Sequence, residues 1–180
     1  MSVYIFLAEG FEEIEAIAVI DTLRRGRIDI KSVSISDNKE VIGRSGIKVV
    51  ADLLFDRKLF ENAEMLVIPG GMLGSQNLSA HGELTSLLSE FNEKGKYLAA
   101  ICAGPLVLGK IGILKGRQAI CYAGLECDLP GAVIKDERVV HDKNIITSKG
   151  PGTAIEFSLK LVEVLLGKEI SDKIKAGMLV

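Results

Sequence analysis

Short aliphatic runs alternate with helical patterns from one end of the chain to the other, and this alternation limits the fold more than any other feature. Residues 3–8 form an apolar run, and Glu9-Gly10-Phe11 turns the chain. Residues 12–25 then read as a helix: Ala16, Val19, Ile20 and Leu23 recur at helical spacing, and Arg24 and Arg25 sit where cations suit the helix dipole. Residues 28–36 alternate as a half-buried strand does, and residues 37–50 suggest a small hairpin region. A third strand is expected at 64–69, a helix at 75–94, a fourth strand at 97–101 and a helix at 105–112. Residues 117–148 are strand-like and rich in turns, and a long helix at 154–166 precedes a short tail helix. The predicted fold is α/β: a flavodoxin-like, three-layer α/β/α sandwich around a mostly parallel sheet, in a single domain spanning 1–180. Ligands in such folds sit beyond the carboxyl ends of the strands. Three loops meet that description, at 9–15, 70–74 and 102–105.

Composition narrows the classes of partner. Trp is absent and aromatics make up 5% of residues, so the core must be aliphatic, as suits a covered parallel sheet. The net charge is −2 with no basic stripe, which gives nucleic-acid binding no electrostatic support. The three cysteines, Cys102, Cys121 and Cys127, are an odd and sparse set, a poor disulfide framework that fits a reducing compartment. The first apolar run lacks a basic flank and leads into acids, so it reads as a strand rather than a signal peptide. No run approaches transmembrane length, and a cytoplasmic location with no membrane partner is expected.

Cys102 follows an apolar strand and precedes a helix, with small Ala103 and Gly104 in the turn and Pro105 suited to the first helical turn. The layout matches a nucleophile elbow, and free N–H groups at a helix start are expected to lower the thiol pKa. A buried structural cysteine is the competing reading, and this segment alone weighs the two equally. Gly70 and Gly71 close another apolar strand, where backbone N–H groups can approach a ligand and stabilise an oxyanion. Taken alone, an ordinary turn explains them as well. Glu12, Glu13 and Glu15 open the first helix, where acids are favoured in any case. That bland reading suits Glu12 and Glu13. Glu15 shares a face with Ala18 and Val19, and a desolvated carboxyl there tends to stay protonated and can move protons. Local sequence does not choose among the three.

Four segments together carry a resemblance. Leu7-Ala8-Glu9-Gly10-Phe11-Glu12-Glu13-Ile14-Glu15, Val67-Ile68-Pro69-Gly70-Gly71-Met72, Ala100-Ile101-Cys102-Ala103-Gly104-Pro105 and Thr147-Ser148-Lys149-Gly150-Pro151-Gly152-Thr153 occur in the order found in the DJ-one branch of the ThiJ/PfpI superfamily. The resemblance spans nearly the whole chain. It implies a homodimer, a reactive cysteine at Cys102, a protonated glutamate at Glu15 and oxyanion-type donors at Gly71 and Ala103. Gly70, Tyr122, Gly150 and Pro151 become site neighbours. It also implies a glyoxalase or deglycase that needs neither cofactor nor glutathione and acts on a small aldehyde, or an oxidative-stress sensor or redox-regulated chaperone working through the same thiol.

One departure matters. Many members of that branch carry a His on the strand after the elbow helix, whereas Tyr122 takes that place here, and a phenol is a poor base near neutral pH. His81 and His141 are expected at solvated positions. Glutamine amidotransferases require a His-x-Glu downstream of the cysteine, and His81-Gly82-Glu83 lies upstream. Protease-like relatives place His directly after the nucleophile, where Ala103 stands here. The cysteine and histidine spacings match no metal motif, so no metal is expected, and Glu9-Gly10-Phe11-Glu12-Glu13 is no dinucleotide fingerprint. A binding module with an inert cysteine is the remaining reading; it predicts an ordinary thiol pKa and burial.

Overall fold

The structure is a computed structural model that describes residues 1–180. Its centre is a seven-stranded sheet in the order β10-β11-β7-β6-β1-β2-β5. The strands are β1 (Ser2–Leu7), β2 (Asp29–Ser34), β5 (Leu53–Leu54), β6 (Ala63–Ile68), β7 (Tyr97–Ile101), β10 (Val139–Asp142) and β11 (Ile145–Ser148). Every pairing is parallel except the edge hairpin β10–β11. Two small two-stranded sheets stand apart: the antiparallel hairpin β3 (Glu40–Ile42) with β4 (Lys48–Val50), and β8 (Gln118–Ala119) with β9 (Val133–Ile134).

Strand side chains alternate between two cores, as the period-two geometry of a strand requires. Val3, Ile5 and Leu7 of β1, Met65 and Val67 of β6, and Ala99 and Ile101 of β7 join one core with α1 (Glu13–Arg25) and α5 (Ala154–Leu166). Phe6, Leu66, Ile68, Leu98 and Ala100 join the other, against α2 (Met72–Ala80), α3 (Gly82–Glu93) and α4 (Pro105–Lys110). A sheet buried on both faces explains why the strands read as apolar runs with few polar interruptions. The last helix, α6 (Lys168–Gly177), packs on α5.

The chain runs from β1 outward to β2 and then crosses back to β6 on the other side of β1. The order therefore reverses between β1 and β6, and the carboxyl ends of these strands and of β7 open toward one crevice. All three loops singled out by sequence lie there.

Two local expectations need correction. The helix expected at 75–94 is two helices, α2 and α3, separated at His81, whose backbone is extended (φ −81°, ψ 97°). His81 is not a solvated bystander: its Nδ1 accepts the Leu84 N–H at 3.1 Å, and its ring lies 4.6 Å from that of Phe55. It is half-buried, and capping α3 is its local role. His141 is exposed as expected. No helix is long and apolar enough to cross a membrane.

Candidate active site

Cys102 sits one residue beyond β7 with φ +63°, a left-handed conformation that a side-chain-bearing residue rarely adopts. Holding it costs on the order of 1–3 kcal/mol. Neighbouring segments hold the conformation: the Cys102 N–H donates to Ser148 O of β11 at 2.9 Å, and its carbonyl accepts the N–H of Tyr122, in the turn after β8, at 2.9 Å. The turn leaves Cys102 9% exposed, so the residue meets the pocket through a small opening while most of it is desolvated.

Glu15, in the first turn of α1, is fully buried behind the sulfur. Its Oε2 accepts the Gly70 N–H at 2.7 Å, and its Oε1 has no partner in the protein framework. A Cβ on Gly70 would fall 2.5 Å from both the Cys102 Cβ and the Glu15 Oε2. Gly70 is thus the gap through which thiol and carboxyl meet. Gly71 has φ +86°, and a Cβ there would strike Gly10 O at 2.2 Å, so the chain can pass only as glycine. This path directs the Gly71 N–H at the thiol, alongside that of Ala103.

Electrostatics here overturn one expectation. The thiol is pushed up to about 12, chiefly by burial and then by the charge and hydrogen bond of Glu15; the Gly71 and Ala103 N–H groups pull it down without winning. α4 spans six residues, which gives its start a weak dipole against that desolvation. Glu15 itself is raised from 4.5 to about 7, first by burial, with the Gly70 N–H and Cys102 acting the other way. The two groups titrate as a pair: both hold protons below about 7, and above it one proton remains between them.

In front of the thiol lies a pocket of about 230 Å³ lined by Glu12, Arg44, Gly71, Met72, Cys102, Ala103, Tyr122 and Leu125. Arg44 comes from the tip of the β3–β4 hairpin and pairs with Glu12, Nη1 to Oε2 at 3.0 Å. The hairpin is fastened by Glu13, which is buried and whose Oε1 accepts the Ser45 N–H at 2.8 Å and the Ile47 N–H at 3.4 Å. Glu12 and Glu13 are therefore not merely first-turn acids: one lines the pocket and the other anchors the loop that reaches it. Tyr122 and Gly150 flank the sulfur, since a Cβ on Gly150 would lie 3.3 Å from the Tyr122 ring and 4.0 Å from Sγ. Pro151 starts a short 3₁₀ turn and does not line the pocket. Neither histidine reaches it, and no group of three or more His, Cys, Asp or Glu side chains is placed to hold a metal ion.

Comparisons with known proteins show which family shares this sequence and fold. The Arabidopsis thaliana protein DJ-1 homolog B is 35% identical over 175 residues, which is 97% of this chain and 40% of that protein. This chain thus spans about two fifths of that relative's length. The Caenorhabditis elegans protein named glutathione-independent glyoxalase DJR-1.2 is 35% identical over 167 residues, covering 92% of this chain and 89% of that one. Among solved structures, oxidized Toxoplasma gondii DJ-1 superposes with a TM-score of 0.95 at 39% identity, covering 99% of this chain and 97% of that one. A model of the DJ-1/PfpI family matches residues 1–164, so the match takes in the elbow, the two-glycine loop and the glutamate together. On that extent of agreement, the chain belongs to the DJ-1/PfpI family.

Proposed function

We propose that the chain is a cysteine-dependent glyoxalase that converts 2-oxoaldehydes such as methylglyoxal to 2-hydroxy acids without glutathione, with glycated adducts as further substrates. The observation that carries this reading is the buried Glu15–Cys102 pair, joined across Gly70, with two backbone N–H groups directed at the sulfur. A carboxylate that ionises near 7 is well matched to accept a thiol proton at neutral pH. As that proton passes from Cys102 to Glu15, Sγ bonds to the aldehyde carbon and the carbonyl π electrons move to oxygen. The Gly71 and Ala103 N–H groups stabilise that oxygen, which takes its proton from Glu15 to complete a hemithioacetal. The former aldehyde carbon then gives up its proton and the neighbouring carbonyl oxygen takes one, which forms an enediol; the hydroxyl on the sulfur-bearing carbon next loses its proton to become a carbonyl while the neighbouring carbon gains one, with Glu15 as carrier. The product is a hydroxyacyl thioester. Water hydrolyses it, releasing lactate from methylglyoxal and restoring the thiol.

The test is methylglyoxal consumption with lactate detection, without glutathione, for the wild type, Cys102→Ser and Glu15→Gln. Loss of turnover in both variants supports the roles; turnover retained in Cys102→Ser sinks the mechanism.

A second reading rests on the same partly open thiol. Cys102 would oxidise through sulfenic to sulfinic acid, with Glu15 and the two N–H groups holding the added oxygens. The Toxoplasma relative has been solved in an oxidised form, which supports this reading. Mass spectrometry after mild peroxide decides it: oxidation of Cys121 or Cys127 before Cys102 rejects a sensor at the elbow.

We also propose that the chain pairs with a second copy. Ile14 and Ile17 on α1 and Ile47 and Val50 on the adjoining hairpin are exposed, at 59%, 45%, 57% and 71%. Isoleucine and valine gathered on neighbouring elements suit a dimer face. Sedimentation of the wild type and Ile17→Lys checks it: a dimer that the substitution dissociates is expected.

A further inference from the structure

The pocket is larger than a two- or three-carbon dicarbonyl needs, and its rim holds two chemistries. The charged part is the Glu12–Arg44 pair, whose opposite charges are already joined at 3.0 Å. The remainder is apolar: Met72 is 45% exposed and Tyr122 51% exposed, with half-buried Leu125 completing the lining. Tyr122 and Leu125 belong to one turn, in which the Leu125 N–H donates to Tyr122 O at 3.1 Å while the Tyr122 N–H is bound to the carbonyl of Cys102. The ring is thereby indexed to the thiol through backbone rather than through a mobile side-chain contact. Gly150 leaves room for it, because a Cβ there would stand 3.3 Å from the ring.

We propose that Tyr122 determines specificity: its ring, with Leu125 and Met72, forms a wall for the substituent of the substrate, so that the site prefers 2-oxoaldehydes bearing an aryl or branched alkyl group over methylglyoxal and glyoxal. This rests on the glyoxalase reading for its substrate class, but the wall itself does not require turnover. An aldehyde carbon bonded to Sγ places its substituent in the open pocket, where the apolar residues are. A flat apolar group there removes both itself and the Tyr122 ring from water and gains ring-on-ring contact. A charged substituent finds the single cation already engaged by Glu12.

Two α-bromoketones, phenacyl bromide and bromoacetone, test the wall apart from the reaction, since they differ only in that substituent. Alkylation of Cys102 is followed by peptide mass spectrometry, which separates it from exposed Cys127. Rates are referred to those of a free small thiol. The wild type is expected to favour phenacyl bromide over bromoacetone by about tenfold more than the free thiol does, the size of a well-placed aromatic contact. Tyr122→Ala should bring the ratio back toward the free-thiol value, Leu125→Ala should lower it in part, and Tyr122→Phe should keep it. A wild-type ratio equal to that of the free thiol, or an unchanged ratio in Tyr122→Ala, overturns the proposal. Phenylglyoxal and methylglyoxal turnover is measured beside it. A retained alkylation preference with no turnover of either aldehyde upholds the wall and rejects the glyoxalase reading; turnover of both with no alkylation preference does the reverse.

Discussion

Cys102 and Cys121 are both buried, and burial pushes both thiols up to about 12. Their surroundings differ in kind. Cys121 is fully buried; beyond desolvation, the charges of Glu126 and Asp128 raise it, and no backbone donor offsets them. Cys102 has left-handed backbone, two N–H groups directed at its sulfur, a carboxyl that ionises near 7 and an opening to a pocket. A raised thiol pKa therefore does not by itself distinguish the two cysteines. On the proposed mechanism, what distinguishes them is whether a base and an anion-stabilising cradle stand ready for the moment the proton leaves.

The sharpest test of that contrast is paired substitution. Cys102→Ser is expected to abolish lactate formation, while Cys121→Ser should keep most of it, with some loss of stability because a hydroxyl replaces a buried thiol. Gly70→Ala comes next. Its methyl group would force Glu15 and Cys102 apart, and a displacement of about 1 Å in such a pair can cost about a hundredfold in rate. Glu15→Gln removes the base while keeping the shape. In the wild type, iodoacetamide labelling of Cys102 should rise with pH through about 7; the variant should lose that inflection, and Cys121 should never show it. Should both cysteines label with the same pH profile, the contrast fails.

The last expected effect is on stability. The Glu15 pKa is higher in the folded chain than in the unfolded one, so its contribution is fully present below about 4.5 and is lost as pH rises to about 7. The full loss is on the order of 3 kcal/mol. Glu15→Gln should therefore unfold at higher denaturant than the wild type at pH 8 and show little gain at pH 4. Equal shifts at both pH values would place the effect in packing instead of ionisation.

Sequence alone reached the β–α alternation, because strands buried on both faces leave an unmistakable apolar signal. It also reached the elbow at Cys102 and the glycines facing it, because tight turns restrict residue choice. It missed Arg44, and no local signal marks it: that residue reaches the pocket because distant parts of the chain hold the hairpin, Glu13 accepting the Ser45 N–H and Phe11 O accepting the Arg44 N–H at 2.9 Å. It read the thiol pKa in the wrong direction because a helix start is visible in a string of letters, whereas the desolvation that outweighs it is a property of the assembled core. His81 was misplaced for a related reason, since its partner Phe55 comes from another part of the chain.

The left-handed backbone at Cys102 bears on how this chain can change over generations. A position held against its own conformational preference is a standing load on the fold, and glycine would relieve it. A lineage released from the need for the thiol would gain stability by abandoning it, and a single substitution would suffice. Retention of a side chain there is thus a sensitive record of use, and a descendant with glycine at this turn would be read as one that kept the architecture and gave up the chemistry.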